Sequence, residues 1–146
     1  MTKKRKTSVS LHLPESSAPR HLAMMIRADG TVETVDVGEE ITLHRLQELV
    51  GGYIETVSPR FPVSDKLVML CDEEGKLKEK PVNELASACA YLLAGDYLVG
   101  DVIILSVDRD DFVGLTESQA SVIRSMIPLP RRLTDTRRLT DTRRRW

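Results

Sequence analysis

Apolar and polar residues alternate along several short segments of the chain, and this two-residue period predicts about five β-strands. The first two predicted strands, residues 21–27 and 31–37, flank Asp29-Gly30, a pair typical of tight hairpin turns because glycine accepts a positive φ. The other three are predicted at residues 53–57, 66–71 and 102–107. The segment 66–71 is almost wholly apolar, which is typical of a strand inside a sheet.

Three helices are predicted from helical spacing of apolar residues and from residues that cap helix ends. Thr42 is the expected N-cap of the first helix, which ends at Gly51-Gly52. The second is predicted from Glu84 to about Leu93, with Asn83 as its N-cap. The third is predicted over residues 117–126, where Thr116 and Gln119 form a capping box.

The resulting order, ββαββαβα, predicts an α+β fold: a single small domain over residues 21–128 with about five strands and about three helices. Hairpins that alternate with single helices favour a mixed or antiparallel sheet with the helices on one face. Residues 1–20 and 129–146 lack apolar periodicity, and they are predicted to be disordered basic tails.

Charge is distributed unevenly along the chain, although the net charge is only −1. Residues 1–20 carry five Lys or Arg and one Glu, and residues 131–146 carry seven Arg and two Asp. Residues 21–130 carry nine Lys or Arg and nineteen Asp or Glu, which gives −10. The sequence therefore predicts an acidic domain between two basic segments, a distribution that governs association rather than fold.

No segment of the chain predicts export or membrane insertion. Polar residues follow the basic N-terminus where a signal peptide needs an apolar stretch, and the longest apolar segment, residues 85–95, is too short to span a bilayer. Cys71 and Cys89 have no close Cys or His at zinc spacing, so they are predicted to be buried thiols in a reducing compartment. We expect a cytoplasmic protein.

Several short motifs follow one another in the middle of the chain. They are VGGYIETV at residues 50–57, CDEEGKL at 71–77, PVN at 81–83, VGDV at 99–102 and GLTESQA at 114–120. In this order they resemble domain-of-unknown-function family 3846, which is common in bacteriophages and in bacteria that carry mobile elements. The resemblance covers residues 21–127 and implies a small phage-type or actinobacterial domain in a bacterial or phage-infected cell. It implies no activity.

The sequence indicates no catalytic, cofactor or metal site, and it predicts a protein that is not an enzyme. Cys71 lies in an apolar strand, where burial disfavours a thiolate. Gly51-Gly52 follows a helix, whereas the glycines of phosphate-binding loops precede one. The segment 108–111 does not match a calcium-binding loop. Asp72-Glu73-Glu74 is interpreted as an exposed, solubilising turn.

Four residues form the candidate ligand-binding cluster: Tyr53, Asn83, Arg45 and Glu55. Asn83 begins a helix whose free amide groups attract anions, and Tyr53 offers a stacking surface. If the first two helices covered one sheet face, these residues would line a pocket suited to a nucleotide-like ligand.

The C-terminal segment is the second candidate site. The hexamer Arg-Arg-Leu-Thr-Asp-Thr at residues 131–136 is repeated at 137–142. Arginine-rich segments bind phosphate backbones, and tryptophan stacks on bases. The acidic domain repels nucleic acid and offers the arginines an alternative partner, in the same copy or in another. The candidate nucleic-acid contacts are Arg131, Arg132, Arg137, Arg138, Arg143, Arg144, Arg145 and Trp146.

Two functions follow from these observations. The first is a non-enzymatic binding module of phage or mobile-element type that binds a host protein or a small ligand. The alternative is a nucleic-acid-binding accessory protein that grips phosphates through its basic tails, while its domain sets oligomerisation. The first function predicts a contiguous acidic face built from Glu33, Asp36, Glu39, Glu40, Asp108, Asp110 and Asp111.

Overall fold

A computed structural model describes residues 18–61 and 66–128 of the chain. These residues form an α+β fold, as predicted, in the order ββαββαββα. The predicted tails, residues 1–20 and 129–146, lie outside the described residues except for residues 18–20. In chain order the elements are β1 (Leu22–Ile26), β2 (Val32–Asp36), α1 (Leu43–Val50), β3 (Ile54–Val57), β4 (Leu67–Asp72), α2 (Glu84–Ala88), β5 (Val102–Asp108), β6 (Asp111–Val113) and α3 (Glu117–Met126).

The strands form one antiparallel sheet in the order β2-β1-β5-β4-β3, and β6 pairs with β5. β4 lies between β5 and β3, which confirms that its apolar sequence belongs inside the sheet. β2 and β3 are the two edge strands, so their outer backbone groups have no neighbouring strand in this order.

Local sequence signals predicted the first hairpin turn, the N-caps of the helices and the end of the first helix correctly. Gly30 has a φ of 93° in the turn between β1 and β2. Thr42 caps the start of α1, and Gly51 ends that helix with a φ of 83°. The capping box of α3 forms as predicted from Thr116 and Gln119.

The sixth strand was not predicted. Asp108 and Asp111 pair across a tight turn in which Arg109 has a φ of 62°, and the chain returns along β5 as β6. Because β6 has only three residues and begins with an acidic one, its sequence shows no two-residue period. The acidic segment is therefore the turn of a second hairpin.

The helices cover both faces of the sheet, so the prediction that they share one face is wrong. Ala23 and Met25 point to one face of β1 while Met24 and Ile26 point to the other, and all four are buried. α1 covers the first face, and α2 and α3 cover the second. The inner strands carry apolar side chains on both faces, so each face needs a helix to shield these side chains from water.

The second helix is shorter than predicted, ending at Ala88 rather than near Leu93. The chain instead pairs with the continuation of β3. The Arg60 N–H donates to Cys89 O at 2.8 Å, and the Tyr91 N–H donates to Ser58 O at 2.9 Å. Pairing with a distant segment therefore overrides the helical preference of an alanine-rich sequence. Among the described residues, no helix is long and apolar enough to cross a membrane.

Candidate functional site

A cleft of about 490 Å³ lies beside edge strand β3, on the face of the sheet that α2 and α3 cover. Residues 55–58 and 71–73 form one wall, and residues 91–93 and 96–99 form the other. We call it the β3 cleft. It brings together groups that are far apart in sequence, including two tyrosines and several carboxylates.

Hydrogen bonds hold the second wall at both of its ends. At one end the Tyr91 N–H donates to Ser58 O, as described above. At the other end the Leu98 N–H donates to the Ser87 hydroxyl at 2.8 Å, and Leu98 O accepts from the Asn83 N–H at 2.8 Å. The residues between these anchors form a loop on the rim of the cleft.

This loop exposes large apolar side chains to solvent. Tyr91 is 64% exposed, Leu93 84% and Tyr97 42%. The Arg60 guanidinium lies 5.5 Å from the centroid of the Tyr91 ring, and the Lys76 ammonium lies 4.3 Å from that of Tyr97. Both rings therefore contact cations of the chain itself, which is a favourable use of the negative face of an aromatic ring.

The charge of the cleft is negative. Lys76 bonds Asp96, and this bond raises the pKa of Lys76 and lowers that of Asp96, so the two charges offset each other at neutral pH. Glu55 and Glu73 also line the cleft, and neither makes an ion pair with any other described residue. Their carboxylates give the cleft its excess of negative charge.

Asp72 is among the residues that line the cleft, and its side chain is almost wholly buried. One carboxylate oxygen accepts from Lys78 Nζ at 2.8 Å and from Lys80 Nζ at 2.7 Å. Burial alone would raise the pKa of Asp72, but the bonds from both lysines outweigh it and lower the pKa to about 2. The interpretation of this turn as wholly exposed is therefore wrong at Asp72, while Glu73 and Glu74 are exposed.

The same two lysines bond the end of α1. Lys80 Nζ donates to Val50 O at 2.9 Å, and Lys78 Nζ donates to Gly51 O at 3.1 Å. A Cβ atom at Gly52 would overlap the Asp72 carboxylate, which explains why glycine fits there. The motifs at residues 50–57 and 71–77 therefore contact each other through the buried carboxylate of Asp72. These contacts fix the position of the cleft wall that carries Glu73.

The structure does not bring the four candidate ligand-binding residues together. Glu55 lines the β3 cleft, and Tyr53 is exposed just before β3. Arg45 lies on α1, where its guanidinium donates to Asp36 O at 3.4 Å. Asn83 is fully buried on the opposite side of the sheet from α1, and its amide nitrogen donates to two backbone oxygens at 2.7 and 2.9 Å.

Two of the residues predicted to form an acidic face contact basic side chains of the domain itself. Glu33 bonds Arg27 at 2.6 Å, and Asp36 lies 3.2 Å from His21. Their side chains leave β2 on opposite faces because their positions differ by three residues. Of the two cleft carboxylates without ion pairs among the described residues, Glu55 was a predicted ligand-binding residue, whereas Glu73 was interpreted only as part of a solubilising turn.

The cysteines are buried, as predicted. Burial raises the pKa of the Cys71 and Cys89 thiols to about 11, so both are protonated at neutral pH. Within residues 18–61 and 66–128, no three His, Cys, Asp or Glu side chains are grouped as metal ligands. The predicted nucleic-acid contacts in residues 131–146 lie outside the described part of the chain.

Tyr91, Tyr97 and Asp96 were not predicted as site residues from the sequence. Residues 91–93 were predicted to belong to the second helix, so their position beside β3 was not predicted. A usable signal was present: the chain has only three tyrosines, and two of them flank Gly95, a helix-breaking residue.

Most of the chain matches a known protein family. The family model described as Domain of unknown function (DUF3846) matches residues 20–127, which confirms the resemblance carried by the motifs. This range includes every described strand and helix and the whole β3 cleft. No curated protein and no solved structure matches the chain.

Proposed function

Because the chain belongs to the DUF3846 family, whose description assigns no activity, we propose its function from its own surface. It is a non-enzymatic binding module of phage or mobile-element type, and it binds a positively charged segment of a host protein in the β3 cleft. The observation that carries this proposal is the position of two carboxylates without ion-pair partners in the described chain, Glu55 and Glu73, in a cleft rimmed by exposed tyrosines.

Electrostatics favours a cationic ligand over a phosphate or nucleotide. A phosphate placed 4 Å from either carboxylate would be opposed by about 4 kcal/mol near a protein surface. A lysine or arginine at the same distance would be attracted by a similar energy. Arginine also forms paired hydrogen bonds with a carboxylate. The tyrosine faces accept cations as well, as Arg60 and Lys76 demonstrate.

The backbone groups at the edge of β3 that are unpaired among the described residues favour an extended protein segment over a small molecule as the ligand of the cleft. The Glu73 N–H donates to Tyr53 O, so the alternating pattern points the backbone groups of Ile54 and Thr56 away from β4. Among the described residues these groups have no backbone partner. An added strand would pair with them and bring its side chains to the tyrosines and carboxylates.

Two titratable groups of the cleft, Cys71 and Asp72, favour binding over catalysis. Cys71 is a protonated thiol, and Asp72 is fixed as a carboxylate by two lysines. General acid–base catalysis requires a group whose pKa lies near the working pH, and nucleophilic catalysis requires a thiolate or a neighbouring base. These two groups provide neither.

Selection from a random peptide library tests the proposal. We expect peptides enriched on the immobilised full chain to carry Lys or Arg beside apolar residues. The double variant Glu55→Lys/Glu73→Lys should weaken their binding about tenfold or more, measured by fluorescence anisotropy.

The matched control is Glu39→Lys/Glu40→Lys, which makes the same charge change at exposed positions in the segment between β2 and α1. Its affinity should stay within about twofold of the wild type, because distant surface charges are screened. Equal losses in both double variants, or enriched peptides without basic residues, would contradict the proposal.

A further inference from the structure

The β3 cleft and residues 131–146 carry opposite charges. The C-terminal residues hold seven Arg and two Asp, whereas the cleft holds Glu55 and Glu73 in excess over its paired charges. Each hexamer also contains a leucine next to its arginine pair. Arginines for the carboxylates and leucines for the exposed tyrosines are the features required of the partner segment.

The described chain ends on the same side of the sheet as the cleft. α3 packs on that face, where Ile123 and Ile127 are buried. Arg124 donates to Val32 O at 2.9 Å, so the last turn of α3 lies beside the start of β2. The strand register places the starts of β2 and β3 at the same end of the sheet, four strand spacings apart, or about 19 Å.

The residues after Pro128 are long enough to cross this distance. An extended chain advances about 3.3 Å per residue, so the nine residues to Arg137 reach up to about 30 Å. The second hexamer and the residues that follow it can therefore reach the cleft of the same molecule.

We infer that residues 131–146 occupy the β3 cleft of their own chain and that a partner segment must displace them to bind. This inference rests on the proposed function of the cleft. The arginines bond Glu55 and Glu73, and the leucines contact the exposed rings of Tyr91 and Tyr97. The segment therefore competes with any partner for the cleft. Only a partner that binds the cleft more tightly than residues 131–146 displaces them.

Trp146 offers a direct measurement, because it is the only tryptophan of the chain. Acrylamide quenching of its fluorescence reports how far the C-terminal segment is protected from solvent. We expect the quenching constant to rise about twofold or more in Glu55→Lys/Glu73→Lys, since like charges repel the arginines from the cleft. The Glu39→Lys/Glu40→Lys control should match the wild type. Identical quenching in all three proteins would overturn the inference.

Protein concentration separates contact within one chain from contact between chains. An intramolecular contact gives the same quenching constant from about 1 to about 100 µM, because its effective concentration is set by the length of the chain. A quenching constant that falls as concentration rises would overturn the inference, since a second copy would then supply the segment.

A second measurement keeps the inference testable if Trp146 itself lies beyond the cleft. In a variant with all seven arginines of residues 131–146 changed to glutamine, the backbone amide NMR signals of Thr56, Tyr91 and Tyr97 should shift relative to the wild type. Unchanged signals at the cleft would overturn the inference.

The same variant separates the two proposals. Selected basic peptides should bind it about tenfold more tightly than the wild type if the segment competes for the cleft. Equal affinity for both proteins overturns the inference and leaves the proposed function intact. The proposed function fails only when the selected peptides no longer depend on Glu55 and Glu73.

Discussion

The carboxylate of Asp72 bonds two lysines, which in turn bond the last carbonyl groups of α1. Cations are favourable at this end of a helix because its unpaired carbonyl groups carry partial negative charge. Asp72 thus offsets the charge of the lysines that cap the helix, and the cluster joins α1 to the segment that carries Glu73 and Lys76. Correct placement of one wall of the cleft depends on this single buried charge.

Changing Asp72 to asparagine should destabilise the domain at pH 7 by about 2 kcal/mol, because two partly buried lysines lose their partner. The lysine bonds lower the pKa of Asp72 from 3.8 to about 2. The stabilisation is therefore complete above about pH 4 and is lost as the pH falls from about 4 toward 2.

Urea unfolding at a series of pH values measures this difference. The free energies of unfolding of the wild type and Asp72→Asn should converge toward pH 2. Glu74→Gln is the control, because Glu74 is exposed and its substitution should change stability by less than about 0.5 kcal/mol. A constant gap between wild type and Asp72→Asn across this range would show that the charge of Asp72 does not stabilise the domain.

The two edge strands differ in how their outer backbone groups are protected. On β2, the arginine side chains of α3 and α1 bond the carbonyl groups of Val32 and Asp36. On the β3 side, the outer groups bonded among the described residues lie past the strand, where Ser58 O accepts from the Tyr91 N–H and the Arg60 N–H donates to Cys89 O. An edge that is blocked by side chains resists added strands, whereas an open edge accepts them. β3 is therefore the edge that is available to a partner.

Proline substitution tests this difference between edges. Thr56→Pro removes an outward N–H of β3, and Thr34→Pro removes the corresponding outward N–H of β2. Proline is tolerated at such edge positions because no bond within the sheet is lost. We expect Thr56→Pro to weaken selected peptides about tenfold and Thr34→Pro to leave their affinity unchanged, with similar urea midpoints. Equal affinities in both variants would contradict strand addition at β3.

The sequence predicted the elements whose signals are local. The caps of all three helices and the first hairpin depend on residues within a few positions of one another, so they were readable. The end of α2 was not, because residues 89–91 bond the distant segment 58–60. The candidate site was missed for the same reason: its two walls come from segments about 35 residues apart, and only Glu55 was identified.

At the scale of the whole molecule, the uneven charge determines which contacts the arginines of residues 131–146 can make. The domain at residues 21–130 carries −10, which repels a nucleic-acid duplex and attracts the arginines. Phosphate and the β3 cleft therefore compete for the same side chains. The alternative function, nucleic-acid binding through the basic tails, depends on which of the two binds the arginines more strongly.

A comparison of DNA binding by the full chain and its variants decides this competition. Glu55→Lys/Glu73→Lys should bind a short DNA duplex about tenfold more tightly than Glu39→Lys/Glu40→Lys at low salt, because only the first variant also releases the arginines from the cleft. Both variants change the net charge equally, so any difference arises from position. Equal affinities would mean that the cleft does not hold the arginines. A wild type that already binds with a steep salt dependence would favour nucleic acid as the natural partner of the tails.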